Sequence, residues 1–175
     1  MKTTRLLSLC LPLAALACQS TTTPSIVEGS AADRDALLEA LSALEGRWEG
    51  AGATGDRFVS EFRVIAEGSV VHETMFPGDS YEMTNMYTLD GNSLVMTHYC
   101  AAGNQPHMRA GVVEADTIVF HFDGVSGLES SDDAYMGAMT LVLKDTDHIE
   151  QHWKQLKNGA VVEGADKVMA LKRIP

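Results

Sequence analysis

Residues 95–113, VMTHYCAAGNQPHMRAGVV, bring His98, Cys100, His107 and Arg109 into one short stretch. Two imidazoles and a thiolate are a sensible donor set for zinc that leaves a fourth position open. The paired Cys-x-x-Cys or His-x-x-x-His spacing typical of zinc sites is absent, however, and an Arg109 cation would oppose a dication. A second chemistry suits the same residues. His98 and Arg109 would orient a carboxylate or other oxygen of a small molecule, while Cys100 packs as a small hydrophobe.

Which chemistry is available depends on the strands that carry these residues. NSLVMTHYC alternates Leu94, Met96, His98 and Cys100 against Val95, Thr97 and Tyr99. The first set opens with two large apolar side chains and is the expected inner face. AAGNQP reads as a hairpin loop, with turn chemistry at Gly103-Asn104 and Pro106 closing it. The next strand carries His107, Arg109, Gly111 and Val113 on one face. Pairing Cys100 near His107 then sets His98 near Arg109, with β-carbons ~5 Å apart. The expected ligand-binding set is Met96, His98, Tyr99, His107 and Arg109. If a metal is held instead, His98, Cys100 and His107 are its candidates.

The elements around this hairpin are one helix and a long run of strands. In DRDALLEALSALEG, Leu37, Leu38, Leu41 and Leu44 recur at one-face helical spacing, Asp33 and Asp35 suit the N-terminus, and Gly46 is the stop. These predict a helix at about 33–45. After Gly46, apolar–polar alternation is broken at Glu67-Gly68, Pro77-Gly78, Asp90-Gly91-Asn92, Asp123-Gly124, Asp145-Thr146-Asp147 and Asn158-Gly159. Evenly spaced turn signals predict hairpins in sequence order, ten strands in all. Closure into an up-and-down antiparallel barrel removes the exposed edges of such a meander. The fold class is therefore all-β, a ten-stranded barrel with one short N-terminal helix. An open sheet or sandwich wrapped around the helix is the structural alternative. Eight methionines beyond Met1 lie on or beside these strands, as adaptable filler for a core or a lumen.

LEGRWEGAG, with Gly46, Trp48, Gly50 and Gly52, resembles the Gly-x-Trp opening of lipocalins and related calycin barrels, and that of nitrobindin-like barrels. The resemblance covers architecture over about 46–173. It implies that Trp48 plugs the closed end and that a basic residue of the last strand, Lys172 or Arg173 in MALKRIP, packs across it. The chain is also similar to bacterial lipocalin-like proteins with a Thr-His-Tyr-Cys…Asn-Gln-Pro segment, a likeness that implies no activity. Nitrobindin-like proteins ligate haem through a histidine near the chain's end. VVEGADKVMALKRIP has none, so that function does not carry over and no cofactor is assigned.

The N-terminus speaks to compartment. MKTTRLLSLCLPLAALA has basic Lys2 and Arg5 followed by an apolar stretch too short to span a bilayer, the pattern of a secretory signal. AALAC resembles the lipobox of bacterial lipoproteins, which implies acylation of Cys18. Gln19 after it implies the outer membrane, facing the periplasm. The expected organisation is a signal peptide at 1–17, a polar tether at 18–32 and a barrel domain with its leading helix at 33–175. Cys100 is then left without a partner, so a hydrophobic core rather than a disulfide must hold the fold. A net charge of −11, more negative once Lys2 and Arg5 are removed, argues against nucleic acid as a partner. Gly-x-Ser-x-Gly, phosphate-binding glycine loops and His-Glu-x-x-His are absent. Asp132-Asp133 sits in the Gly/Ser-rich GVSGLESSDD, which reads as a solvated loop. The expected function is a lipid-anchored envelope protein that binds a small, largely apolar molecule in the barrel. Its alternatives are a metal-dependent protein or enzyme, and an envelope interaction module with a packed interior.

Overall fold

The computed structural model describes residues 29–52 and 55–175; the expected signal peptide, Cys18 and nearly all of the tether lie outside the described residues. The helix α1 runs Ala31–Ser42. It starts two residues earlier than expected because Ser30 and Asp33 form a capping box: Asp33 N–H donates to Ser30 Oγ, and Ser30 N–H to Asp33 Oδ2 at 2.7 Å. Leu37, Leu41 and, just past the helix, Leu44 are buried, so the predicted apolar stripe is the face that meets the sheet.

The strands are β1 Gly46–Ala51, β2 Arg57–Ile65, β3 Val70–Met75, β4 Met83–Asp90, β5 Ser93–Tyr99, β6 Gln105–Ala110, β7 Val113–Glu114, β8 Thr117–Ser126, β9 Ala134–Leu143, β10 His148–Lys157, β11 Ala160–Val161 and β12 Lys167–Ile174. Ten of them form a closed antiparallel ring in the order β1, β2, β3, β4, β5, β6, β8, β9, β10, β12. The ring is shut by β1 against β12, with Arg47 opposite Ile174 and Gly50 opposite Leu171. The two-residue strands β7 and β11 hydrogen-bond to β8 and β10 as short extensions. Asp123-Gly124 is not the expected turn. Met108 pairs with Phe122 and His107 with Gly124, so Asp123 is the extra residue of a bulge and β8 continues to Ser126. Gly124 takes φ +156°, which a side chain would resist.

Alternation along each strand fills the barrel. Trp48, Phe62, Val71, Tyr87, Leu94, Met96, Met108, Phe120, Met139 and Leu141 are all essentially inaccessible. The helix caps the end where β4 turns into β5, packing chiefly on β4, β5 and β7. At that end Trp48 donates its indole N–H to Leu44 O at 2.8 Å and meets Phe62 edge-on at 6.3 Å. The Arg173 guanidinium lies 4.2 Å from the Trp48 ring centroid. Its N–H groups reach Ala43 O (2.8 Å), Glu45 O (2.7 Å) and Thr146 O (3.0 Å). One cation thus covers the ring face and donates to carbonyls just beyond the helix, where no intrahelical donor remains. At the opposite end Phe58, Phe76 and Met83 are partly buried against the core, and Phe76 packs on Phe58 and Tyr81. Gly50 keeps this wall thin. A β-carbon on it would lie 2.7 Å from Ala170 O and against the Phe58 ring.

Candidate functional site

The β5–β6 hairpin corrects the sequence expectation. Cys100 N–H donates to Asn104 O at 3.1 Å and Gly103 N–H to Cys100 O at 2.9 Å, so the loop is Ala101–Gly103 and not six residues. The ladder therefore pairs Thr97 with His107 and Val95 with Arg109. Compared with the expected pairing the register shifts by three, an odd number, which turns every β6 side chain to the other face. His107 and Arg109 lie outside. His107 Nδ1 is 3.1 Å from Thr97 Oγ1. Arg109 bridges Asp90 (2.7 Å) and Asp123 (3.3 Å). Tyr99 is half exposed on the outer face, and Cys100 is only partly buried where β5 ends. Of the five expected ligand contacts, Met96 and His98 alone face inward, both buried. The metal candidates His98, Cys100 and His107 are separated by the same shift. Among the described residues no group of three or more His, Cys, Asp or Glu side chains could hold a metal ion.

What His98 joins instead is a cluster of inward polar groups on five strands. Glu73 of β3 is completely buried and accepts four hydrogen bonds: Ser60 Oγ (2.6 Å) and Gln151 Nε2 (2.8 Å) on Oε1, Asn85 Nδ2 (2.7 Å) and Tyr87 OH (2.8 Å) on Oε2. Four donors around one carboxyl group are the complement that an acceptor-only carboxylate calls for. Burial, and then the Glu73 charge beside it, push the Tyr87 phenol well above its ordinary value.

The donors fix the orientation of everything else. Trp153 Nε1–H can only donate, and it meets Gln151 Oε1 at 3.2 Å, so Gln151 must turn its amide NH2 to Glu73. Asn85 turns its NH2 to Glu73 and so offers Oδ1 to His98 Nδ1 at 2.7 Å. Nδ1 must then carry the proton, and Nε2 keeps a lone pair. Burial lowers the His98 pKa to about 4, so the ring is neutral at pH 7. The ring packs on Trp153 with centroids 4.9 Å apart. Among the described residues no hydrogen bond reaches Nε2, whereas every other polar side chain of the cluster is engaged.

The sequence reading missed Ser60, Glu73, Asn85, Tyr87, Gln151 and Trp153. A signal existed: Val71-x-Glu73-x-Met75 and Ile149-x-Gln151-x-Trp153 each set a polar residue on an otherwise apolar alternating face. A groove of about 730 Å³ lies on another side of the molecule, along β1, β10 and β12. In it Arg57 pairs with Glu49 and Lys144 with Glu150, and His148 Nδ1 lies 2.9 Å from Asp145 Oδ1.

Neither a protein-family profile nor a curated protein sequence matches this chain. Among solved structures it is similar to Rv2717c from M. tuberculosis, with 14% identity over 79% of this chain and 97% of that one, TM-score 0.49. It is also similar to a protein of unknown function from the DUF3598 family of Nostoc punctiforme, with 10% identity over 77% of this chain, TM-score 0.49. The chain spans 49% of the length of the second.

Proposed function

We propose that this protein is a lipid-anchored envelope protein, held by Cys18 at the outer membrane and facing the periplasm, that binds a small, largely apolar molecule inside its barrel. The fold is compatible with ligand binding, and one observation carries the reading: a buried, neutral histidine with an oriented but unused Nε2, packed against Trp153. A side chain held this firmly by Asn85 and Glu73 is pre-organised for a contact that the described residues do not make. The helix-capped end is sealed by α1, Trp48 and Phe62, so the ligand enters from the opposite end, which holds Phe58, Phe76 and Met83. It is a small molecule, not a long chain threading the barrel. Arg109 takes no part, being committed to Asp90 and Asp123 on the outer face.

The test is native mass spectrometry of the full chain purified from membranes of the producing bacterium, followed by organic extraction. A stoichiometric organic species, with diacylglyceryl mass on an N-terminal Cys18, is the expected result. An acylated protein with nothing bound favours the packed interaction module, a reading supported by the filled half of the barrel. An unmodified N-terminus removes the anchor.

A further inference from the structure

We infer that the molecule taken into the barrel is neutral and presents a hydroxyl or N–H donor to His98 Nε2, and that carboxylates are rejected. The inference rests on the interior being a small-molecule site and names the chemistry that site selects.

Three observations lead there. The first is the inventory of free groups. Asn85 is used at both ends by Glu73 and His98, Gln151 at both ends by Glu73 and Trp153, and the Ser60 and Tyr87 hydroxyls donate to Glu73. Beyond these bonds the cluster keeps one amide N–H, the second on Gln151 Nε2, since that of Asn85 is directed at Met75 Sδ at 3.4 Å. Among the described residues His98 Nε2 is the ring nitrogen of the cluster without a hydrogen bond, and the Asn85–Glu73 relay prevents it from exchanging roles with Nδ1.

The second is charge. Among the described residues no Lys or Arg is buried, and Arg109, the cation expected beside His98, points outward. The charge inside the barrel is the Glu73 carboxylate, surrounded by neutral donors. A ligand carboxylate entering beside it would meet a like charge in a poorly hydrated space with no buried counter-ion among the described residues. A neutral alcohol, phenol or N–H heterocycle meets neither penalty and completes the hydrogen bond that Nε2 lacks.

The third is shape. The His98 ring packs on the Trp153 indole, and the buried Met96 on its own strand and Met75 beside Asn85 give it apolar surroundings. An apolar body carrying a single polar handle suits that setting.

Three probes with one bicyclic body separate the outcomes: 2-naphthol, its methyl ether 2-methoxynaphthalene, and 2-naphthoate. Each is titrated calorimetrically into the full chain in detergent, with detergent blanks, at pH 7. The expected order is 2-naphthol at least tenfold tighter than the ether, with 2-naphthoate weakest. His98→Phe should bring 2-naphthol down to the level of the ether, and His98→Gln, which can still offer an acceptor oxygen, should keep part of the preference. If the phenol and the ether bind alike, if naphthoate binds best, or if the preference survives His98→Phe, the donor inference is overturned while binding in the barrel stands. If none of the three binds, both readings fall. The wild-type order alone can overturn the inference, so it does not depend on His98→Phe folding. Stoichiometric zinc or iron lost on that substitution would instead assign Nε2 to a metal.

Discussion

His98 ties protonation to stability in a direction that can be measured. Its unfolded pKa is near 6.5 and its folded value about 4, so between these the unfolded chain binds a proton that the native state refuses. The stabilisation is complete above pH 6.5 and is lost as pH falls toward 4, by up to about 3 kcal/mol. The ionisable groups nearest the ring through the cluster are Glu73 on β3 and Tyr87 on β4, while β10 offers only the neutral Gln151 and Trp153. Urea midpoints from pH 7 to 4 should fall for the wild type and flatten for His98→Gln, because the glutamine does not titrate; parallel curves would remove His98 as the source. Glu73→Gln tests the anchor of the same cluster. Its amide NH2 would face either Gln151, whose orientation Trp153 fixes, or Asn85, whose reversal would force His98 onto its other tautomer, so about 2 kcal/mol of stability should be lost. An unchanged midpoint would mean that the four hydrogen bonds do not need a carboxylate. The inward side of His98 was legible from its alternation with Leu94 and Met96. Its neighbours were not, because the face of β6 depended on whether the loop held three residues or six, and the turn signals of AAGNQP fit either.

At the scale of elements, one side chain joins the first and last parts of the domain. Arg173 of β12 stacks on Trp48 of β1 and donates to the carbonyls that follow α1. Lysine keeps the charge but cannot supply a planar fork to carbonyls on two sides. Arg173→Lys should therefore lower stability by about 2 kcal/mol, read from a thermal midpoint. An unchanged midpoint would reduce its part to covering the ring. The helix and the strand sequence were readable from periodicity and turn residues. The start of α1 was readable too, in Ser30-x-x-Asp33, but the acidic pair Asp33 and Asp35 drew the boundary inward. Asp123-Gly124 carries the same residues in a bulge as in a turn. Only the pairing of β8 with β6 tells the two apart.

For the whole molecule, closure followed from strand count, since ten hairpin-linked strands leave edges that only a ring removes. Trp48 sits where that ring is sealed, inaccessible to solvent. Trp48→Ala should cost roughly 3–5 kcal/mol through the cavity and the lost packing, seen as a lower urea midpoint. A midpoint that stays put would mean that α1 seals the end unaided. The interior was the least legible part, because its polar cluster is contributed by five strands spread from Ser60 to Trp153. No local window contains more than a fragment of it, and each fragment alone looks like a stray polar residue on an apolar face.

The bond from Gln151 to Glu73 spans 78 residues, and this sets a clock on assembly. The strands β2, β3 and β4 can pair early through short loops and gather three of the four donors around the carboxylate. The fourth arrives only when β10 docks, and β12 must still find β1. A ring whose two ends meet last has a high contact order, so its final step should be slow compared with hairpin formation. Until that step the carboxylate lacks the Gln151 donor, and water should fill that position. Drying of the interior and closure of the ring are then a single event, with Glu73 as the residue that makes one wait for the other.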